Sequence, residues 1–150
     1  MQITINSNEF EKLQNRLITI GSETLVGKIN RRIVLSGQEY GAKLTEKKAP
    51  RSKDHSKSGP QRGSGRQTPP GHAADNVAIG KVSKKGYRYS GNIGWEPEDD
   101  SPHFYERFPI YGAENLREQK TFEPIKADVE QYIKRMTEAE YEAAIKEAIG

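Results

Sequence analysis

Between residues 51 and 71 the chain places no large apolar side chain at any of twenty-one consecutive positions. The stretch, RSKDHSKSGPQRGSGRQTPPG, is built from glycine, proline, serine and basic residues. It has nothing with which to anchor itself in a core, and it is long for a connection inside a compact domain, so it reads as a flexible loop. The remaining 129 of 150 residues must then supply the whole core, and apolar material is scarce: 33% of the chain is hydrophobic, 30% is charged, and the mean hydropathy is −0.91. A single domain of this length and composition is expected either to leave part of itself unstructured or to gain stability from neighbouring subunits.

Charge is distributed unevenly. The formal net charge is +3 and the pI near 9.0, but residues 43–66 hold eight bases against two acids, a net +6, and residues 123–150 hold four bases against seven acids, a net −3. Such bipolarity can guide head-to-tail association of identical subunits; it is equally compatible with two independently solvated surfaces. A basic, Pro/Gly-rich segment can also follow a phosphate backbone, so a nucleic-acid-binding module using residues 43–66 is the alternative reading. That segment contains no Phe, Tyr or Trp, and base stacking is therefore not indicated.

Periodicity marks the elements. Phe10, Leu13, Leu17 and Ile20 form one stripe after Ser7 or Asn8 as N-cap, predicting a helix over residues 7–20. Ser22 caps a second helix, in which Leu25, Ile29 and Ile33 recur at steps of four, Leu44 extends the face and Pro50 forces the end. Gly27, Gly37 and Gly41 each weaken that helix by about 1 kcal/mol relative to alanine. Val77, Ala78, Ile79 and Val82 then lead into the turn signal Ser83-Lys84-Lys85-Gly86. Beyond it Tyr87, Tyr89, Gly91, Ile93 and Trp95 alternate with Arg88, Ser90, Asn92 and Gly94, a period of two that predicts a hairpin turning near Lys85-Gly86. A helix starts near Glu123, with Pro124 at its first position and Ile125, Val129, Ile133 and Met136 on one face. Thr137-Glu138-Ala139-Glu140 is a capping-box pattern that predicts a restart or kink before Tyr141, Ile145 and Ile149. The expected fold class is α+β: N-terminal helices, a small antiparallel sheet, and a C-terminal helix packed on the sheet.

Catalytic and metal-binding patterns are missing from the sequence. There is no cysteine, which removes disulfides, thiolate nucleophiles and cysteine-ligated metals. His55, His72 and His103 lack the spacing of a zinc protease. There is no GxSxG elbow, no GxxxxGK[ST] loop and no GxGxxG. Glu96, Glu98, Asp99 and Asp100 lack the ligand period of an EF-hand and read as a solvated acidic turn. No cofactor, no membrane span of roughly 18 or more apolar residues and no export signal over residues 1–8 is expected.

The order of several short motifs resembles that of the minor tail-component family of siphophages, the neck or tail-completion proteins encoded beside the head–tail connector. Lys47-Lys48-Ala49-Pro50 resembles that family's helix end, and Gly71-His72-Ala73-Ala74-Asp75-Asn76-Val77 its entry into the sheet. Asn92-Ile93-Gly94-Trp95 is similar to its strand ending in Gly-Trp, Phe104-Tyr105-Glu106-Arg107-Phe108 to its Phe-Tyr-x-x-Phe segment, and Thr121-Phe122-Glu123-Pro124 to its C-terminal helix start. The chain departs from the family where Pro109-Ile110-Tyr111-Gly112 replaces a Glu-Phe-Gly-Thr turn, and its loop is long. The resemblance implies a structural virion component rather than an enzyme. It would be a homo-oligomeric ring at the neck that contacts connector or stopper and tail-terminator or tail-tube proteins, with genomic DNA passing nonspecifically through the lumen. The interface residues this singles out are Lys47, Lys48, Arg51, Lys53, Arg62, Arg66, Tyr105 and Phe108.

Overall fold

The computed structural model describes residues 1–5, 23–51, 73–86, 88–96, 110–112, 114 and 120–149. The expected helix over 7–20, the loop over 52–71, and Lys53, Arg62, Arg66, Tyr105 and Phe108 lie outside the described residues, as do the three histidines.

The alternating segment forms the centre of a three-stranded antiparallel sheet. Strand β1 is Gln2–Ile5, β2 is Ser83–Lys85 and β3 is Arg88–Asn92, in the spatial order β1-β3-β2. The period of two sends Tyr89, Ile93 and Trp95 into the interior while Arg88 stays exposed. Lys85 pairs with Arg88 across the hairpin, and Gly86 takes a φ of 61°, which glycine adopts without a Cβ penalty. The turn is therefore where the sequence places it. The strand leading into it is not, because β2 occupies Ser83–Lys85 inside the supposed turn signal, while Ile79 makes one pairing with Ile93 and stays 50% exposed.

That offset has a geometric cause. Ile79 stands opposite Ile93 and Ser83 opposite Ser90, so residues 80–82 face only 91–92. The extra residue is a β-bulge, and bulges leave backbone groups for something else to satisfy. Gln38 supplies the donors: its Nε2 donates to the carbonyls of Gly80 and Asn92, both at 2.9 Å.

β1 is a strand that the sequence reading does not anticipate. Its register sets Ile3 beside Gly91 on the interior face, and Ile3 is buried. Thr and Ile in alternation favour a pleated strand, but four residues carry too short a pattern to distinguish from a helix lead-in.

Helix α1, Glu23–Lys48, and helix α2, Phe122–Ile149, lie antiparallel, as Asn30–Tyr141, Ser36–Tyr132 and Lys48–Asp128 contacts along their length require. Both cover the same face of the sheet, α1 over β3 and α2 against β1. One cluster joins Ile3, Tyr89 and Ile93 of the sheet to Val26, Ile29, Ile33 and Val34 of α1 and to Ile125, Val129, Ile133 and Tyr141 of α2. The expected α+β class, with a C-terminal helix on a small sheet, is therefore the observed one.

Two details of the helices differ from expectation. Leu25 is 40% exposed and Val26 takes the inward position, because α1 is buried on two flanks, by sheet and by α2, which rotates the centre of the buried stripe. Thr137 does not restart α2: the helix is continuous, and the buried Thr137 hydroxyl donates to the Ile133 carbonyl at 2.7 Å. A threonine enclosed by packing satisfies itself one turn back instead of capping. Pro124 is the third rather than the first helical residue, still among the positions whose N–H has no intrahelical acceptor.

The α1 glycines are points of close approach rather than defects. A Cβ on Gly41 would stand 2.5 Å from Ile93 Cδ1, and one on Gly37 would stand 2.9 Å from Ile133 Cγ1. The helix gives up about 1 kcal/mol of propensity at each to let the sheet and α2 approach its backbone.

A second, smaller cluster closes the far end of the sheet: Ala49, Ala73, Ala74, Trp95 and Ile110, with Val77 and Phe122 against it. Ala73 and Ala74 reach it from a 3-10 turn at Ala73–Asp75. Segments distant in sequence, the Ala-Pro helix end, the Ala-Ala-Asp-Asn entry and the Gly-Trp strand end, thus meet around one tryptophan.

Candidate interaction surface

The basic residues at the end of α1 do not form an open cationic patch. Lys47 and Lys48 occupy the last turn of α1, where positive charge complements the helix dipole. Lys48 Nζ stands 3.3 Å from Asp128 of α2, linking the two helices. Arg51 Nη2 donates to Asp75 Oδ1 at 2.6 Å and to the Glu46 carbonyl at 3.0 Å, so the guanidinium bolts the 3-10 turn to the helix end. Of the eight residues singled out from sequence, the structure describes Lys47, Lys48 and Arg51, and two of these three are already paired with acids of the same chain.

Sequence reasoning missed those acids. Glu39 and Glu46 are seven residues apart on α1, hence on one face, and Asp75 is brought beside them by the 3-10 turn. Together with Lys43 they rim an open groove of about 410 Å³ whose apolar lining is Ala42, Val77 and Ile79. No described residue pairs with the side chain of Glu39 or Glu46. The i, i+7 spacing was a usable signal for two of the carboxylates, but nothing in the local sequence brings Asp75 or Ile79 to the same place.

Glu96, expected in a solvated acidic turn, is half-buried instead. One of its oxygens is enclosed 3.8 Å from the Met1 amine, a charge contact too long for a hydrogen bond. The amine itself donates to the Ile93 carbonyl at 2.8 Å, extending the β1–β3 pairing by one step. Burial pushes the amine below its ordinary value, against the neighbouring Glu96 carboxylate, which favours the charged form. The rest of that acidic stretch, Glu98, Asp99 and Asp100, lies outside the described residues.

Among the described residues no group of three or more His, Asp or Glu side chains is placed to hold a metal ion. No described helix is long and apolar enough to cross a membrane. A charged groove beside a sheet edge has a shape that can receive an extended polar segment. Comparison with protein-family models, with curated proteins and with solved structures returned no match.

Proposed function

We propose that the chain is a structural assembly component rather than an enzyme, acting as a homo-oligomeric ring at the neck of a long-tailed phage and contacting connector or stopper proteins on one side and tail-terminator or tail-tube proteins on the other. The observation that carries this reading over the nucleic-acid alternative is the pairing of the basic helix end. Lys48 and Arg51 are committed to Asp128 and Asp75, and the groove beside them is rimmed by Glu39 and Glu46. Phosphate binding needs cations free to replace counterions, whereas two of the cations here are paired with acids of the same chain, an arrangement that suits a protein partner better. The motif order and the α+β architecture support the same reading, as does a core thin enough to benefit from neighbours.

The mechanism is geometric. Subunits close a ring through heterologous contacts, the ring docks on its neighbours, and DNA passes through the lumen. The purified protein, incubated with isolated siphophage tails and inspected by negative-stain electron microscopy, is expected to add a ring to the head-proximal end of the tail. A protein that stays off tails and binds duplex DNA with an affinity falling steeply in salt is the alternative module instead.

A further inference from the structure

We propose that the groove between α1 and the Val77–Ile79 edge receives the basic segment of a second copy of this chain, so that copies associate head to tail. The proposal rests on the assembly reading for its setting and adds the surface and the occupant.

The groove chemistry selects a long-stemmed cation. Ala42, Val77 and Ile79 make an apolar floor, Ile79 is 50% exposed, and Glu39, Glu46 and Asp75 set carboxylates around it, with Lys43 beside them and Arg51 paired to Asp75. Lysine and arginine lay apolar stems on such a floor while their charged ends reach the rim. At one end of the groove an arginine of the chain itself is already seated, the Arg51 guanidinium holding Asp75 and the Glu46 carbonyl.

The matching occupant is encoded in the same sequence. Residues 52–72 carry Lys53, Lys57, Arg62 and Arg66 against Asp54, a net +3, and no large apolar side chain, so lysine and arginine stems are what that segment has to cover the floor. Lys53 and Lys57, like Arg62 and Arg66, stand four residues apart, roughly 13 Å in an extended chain. Glu39 and Glu46 are seven residues apart on a helix, roughly 10 Å along its axis. The two spacings agree within the reach of flexible side chains.

A second copy fits better than the chain's own segment. Both roots of that segment, Arg51 and Ala73, stand at the Asp75 end of the groove. The assembly reading sets the choice, since a segment that pairs within its own chain would add nothing between copies. An incoming segment meets the groove along its whole length. Each exposed ion pair is weak and screened by salt, so the contact gains its strength from repetition around a closed ring.

Two charge-reversed variants test this by sedimentation and native mass spectrometry at low and high ionic strength. The groove variant is Glu39→Lys with Glu46→Lys; the segment variant carries Lys53→Glu, Lys57→Glu, Arg62→Glu and Arg66→Glu. Wild type is expected to self-associate with concentration, and less so in salt. Each variant alone, with an unchanged circular dichroism spectrum, is expected to be monomeric. An equimolar mixture is expected to regain association, because the intact groove meets the intact segment and the reversed groove meets the reversed segment. A wild type that stays monomeric at every concentration overturns the proposal, as do variants that associate like wild type. A mixture that stays monomeric also overturns it. Should the groove variant misfold, Glu39→Gln with Glu46→Gln takes its place, with weaker association expected and the same overturning results. Tails play no part in this measurement. Pairing in solution without tail binding refutes the neck placement alone, and tail binding by a protein with no groove-dependent pairing refutes the groove alone.

Discussion

Gln38 and Gly91 are the residue pair on which the sheet geometry turns. Gln38 is fully buried in the middle of α1, and its two amide hydrogens serve the carbonyls on either side of the bulge. Its Oε1 is enclosed with no hydrogen-bond partner among the described residues, while its amide donates to the Gly80 carbonyl and adds a second donor to the Asn92 carbonyl, which also accepts the Gly80 N–H at 2.8 Å. Gly91 makes room: a Cβ there would stand 2.4 Å from Gln38 Nε2. Gly91→Ala is expected to destabilise by about 1–3 kcal/mol through overpacking, and Gln38→Ala by a similar amount through the cavity left by a fully buried side chain and the loss of its two hydrogen bonds. The two are not independent. In the double variant the alanine methyl no longer meets the amide, so the combined loss should fall short of the sum in denaturant unfolding; strict additivity would mean the pair does not touch. Val129, 2% exposed and within reach of Gly41 across the helix interface, gives a sharper single change. Val129→Asp buries a carboxylate with no partner, and a loss of several kcal/mol is expected. An unchanged melting temperature would remove Val129 from the core.

Among the elements, α1 is the one whose sequence and environment disagree most. Propensity alone favours replacing Gly41 by alanine, by about 1 kcal/mol. The Cβ would meet Ile93 Cδ1 at 2.5 Å and Val129 Cγ2 at 3.2 Å, so the net effect is expected to be a loss of stability. Ile93→Val removes the first clash and should recover part of it; a stabilising Gly41→Ala on its own would show that the helix stands further from the sheet. β1 carries the clearest pH dependence. The Met1 amine is held below its ordinary value of 8.0, chiefly by burial. Its folded-state value is depressed, so folding favours the neutral amine. The associated stability is fully present above the unfolded value of 8.0 and is lost as pH falls through the lowered folded value. Glu96→Gln removes the charge that opposes the lowering and should widen that window downward, measurable as a steeper rise of melting temperature with pH on the acid side of 8. A variant whose profile matches wild type would show that Glu96 does not sense the amine.

At the scale of the whole molecule, residues 52–72 bring no large apolar side chain to a core. α1, α2 and the sheet share one cluster, and Arg51 and Asp75 bring the two ends of the segment together. Replacing residues 53–70 with a short Gly/Ser linker is therefore expected to leave the circular dichroism spectrum intact and shift the melting temperature by no more than a few degrees. The same variant should lose self-association. A truncated chain that fails to fold would make the segment part of the domain and undo the partition.

The strongly periodic parts of the fold were legible in the sequence because each reports on its own burial. The apolar stripe of α2 and the alternation from Tyr89 to Trp95 hold whatever surrounds them, since a helix or strand with one apolar face has one way to hide it. The turn at Gly86 and the stop before Pro50 are similarly local, set by backbone sterics. Tertiary contact decided the rest. β1 is too short for its pattern to speak, and it exists as a strand because β3 offers it an edge. Gly41 reads as a weak point until Ile93 is placed against it, and nothing in the local sequence marks Gln38 as the buried donor beside the bulge. Lys48 and Arg51 read as part of a basic tract, yet Asp128 and Asp75, 80 and 24 residues away, take up their charge. The groove follows from the same cause: Glu39 and Glu46 come from one helix face, while Asp75, Val77 and Ile79 come from a segment about thirty residues further along the chain. Local sequence determines which face of an element seeks burial; which charges and side chains meet across elements is set by packing, because those partners are neighbours only in the folded chain.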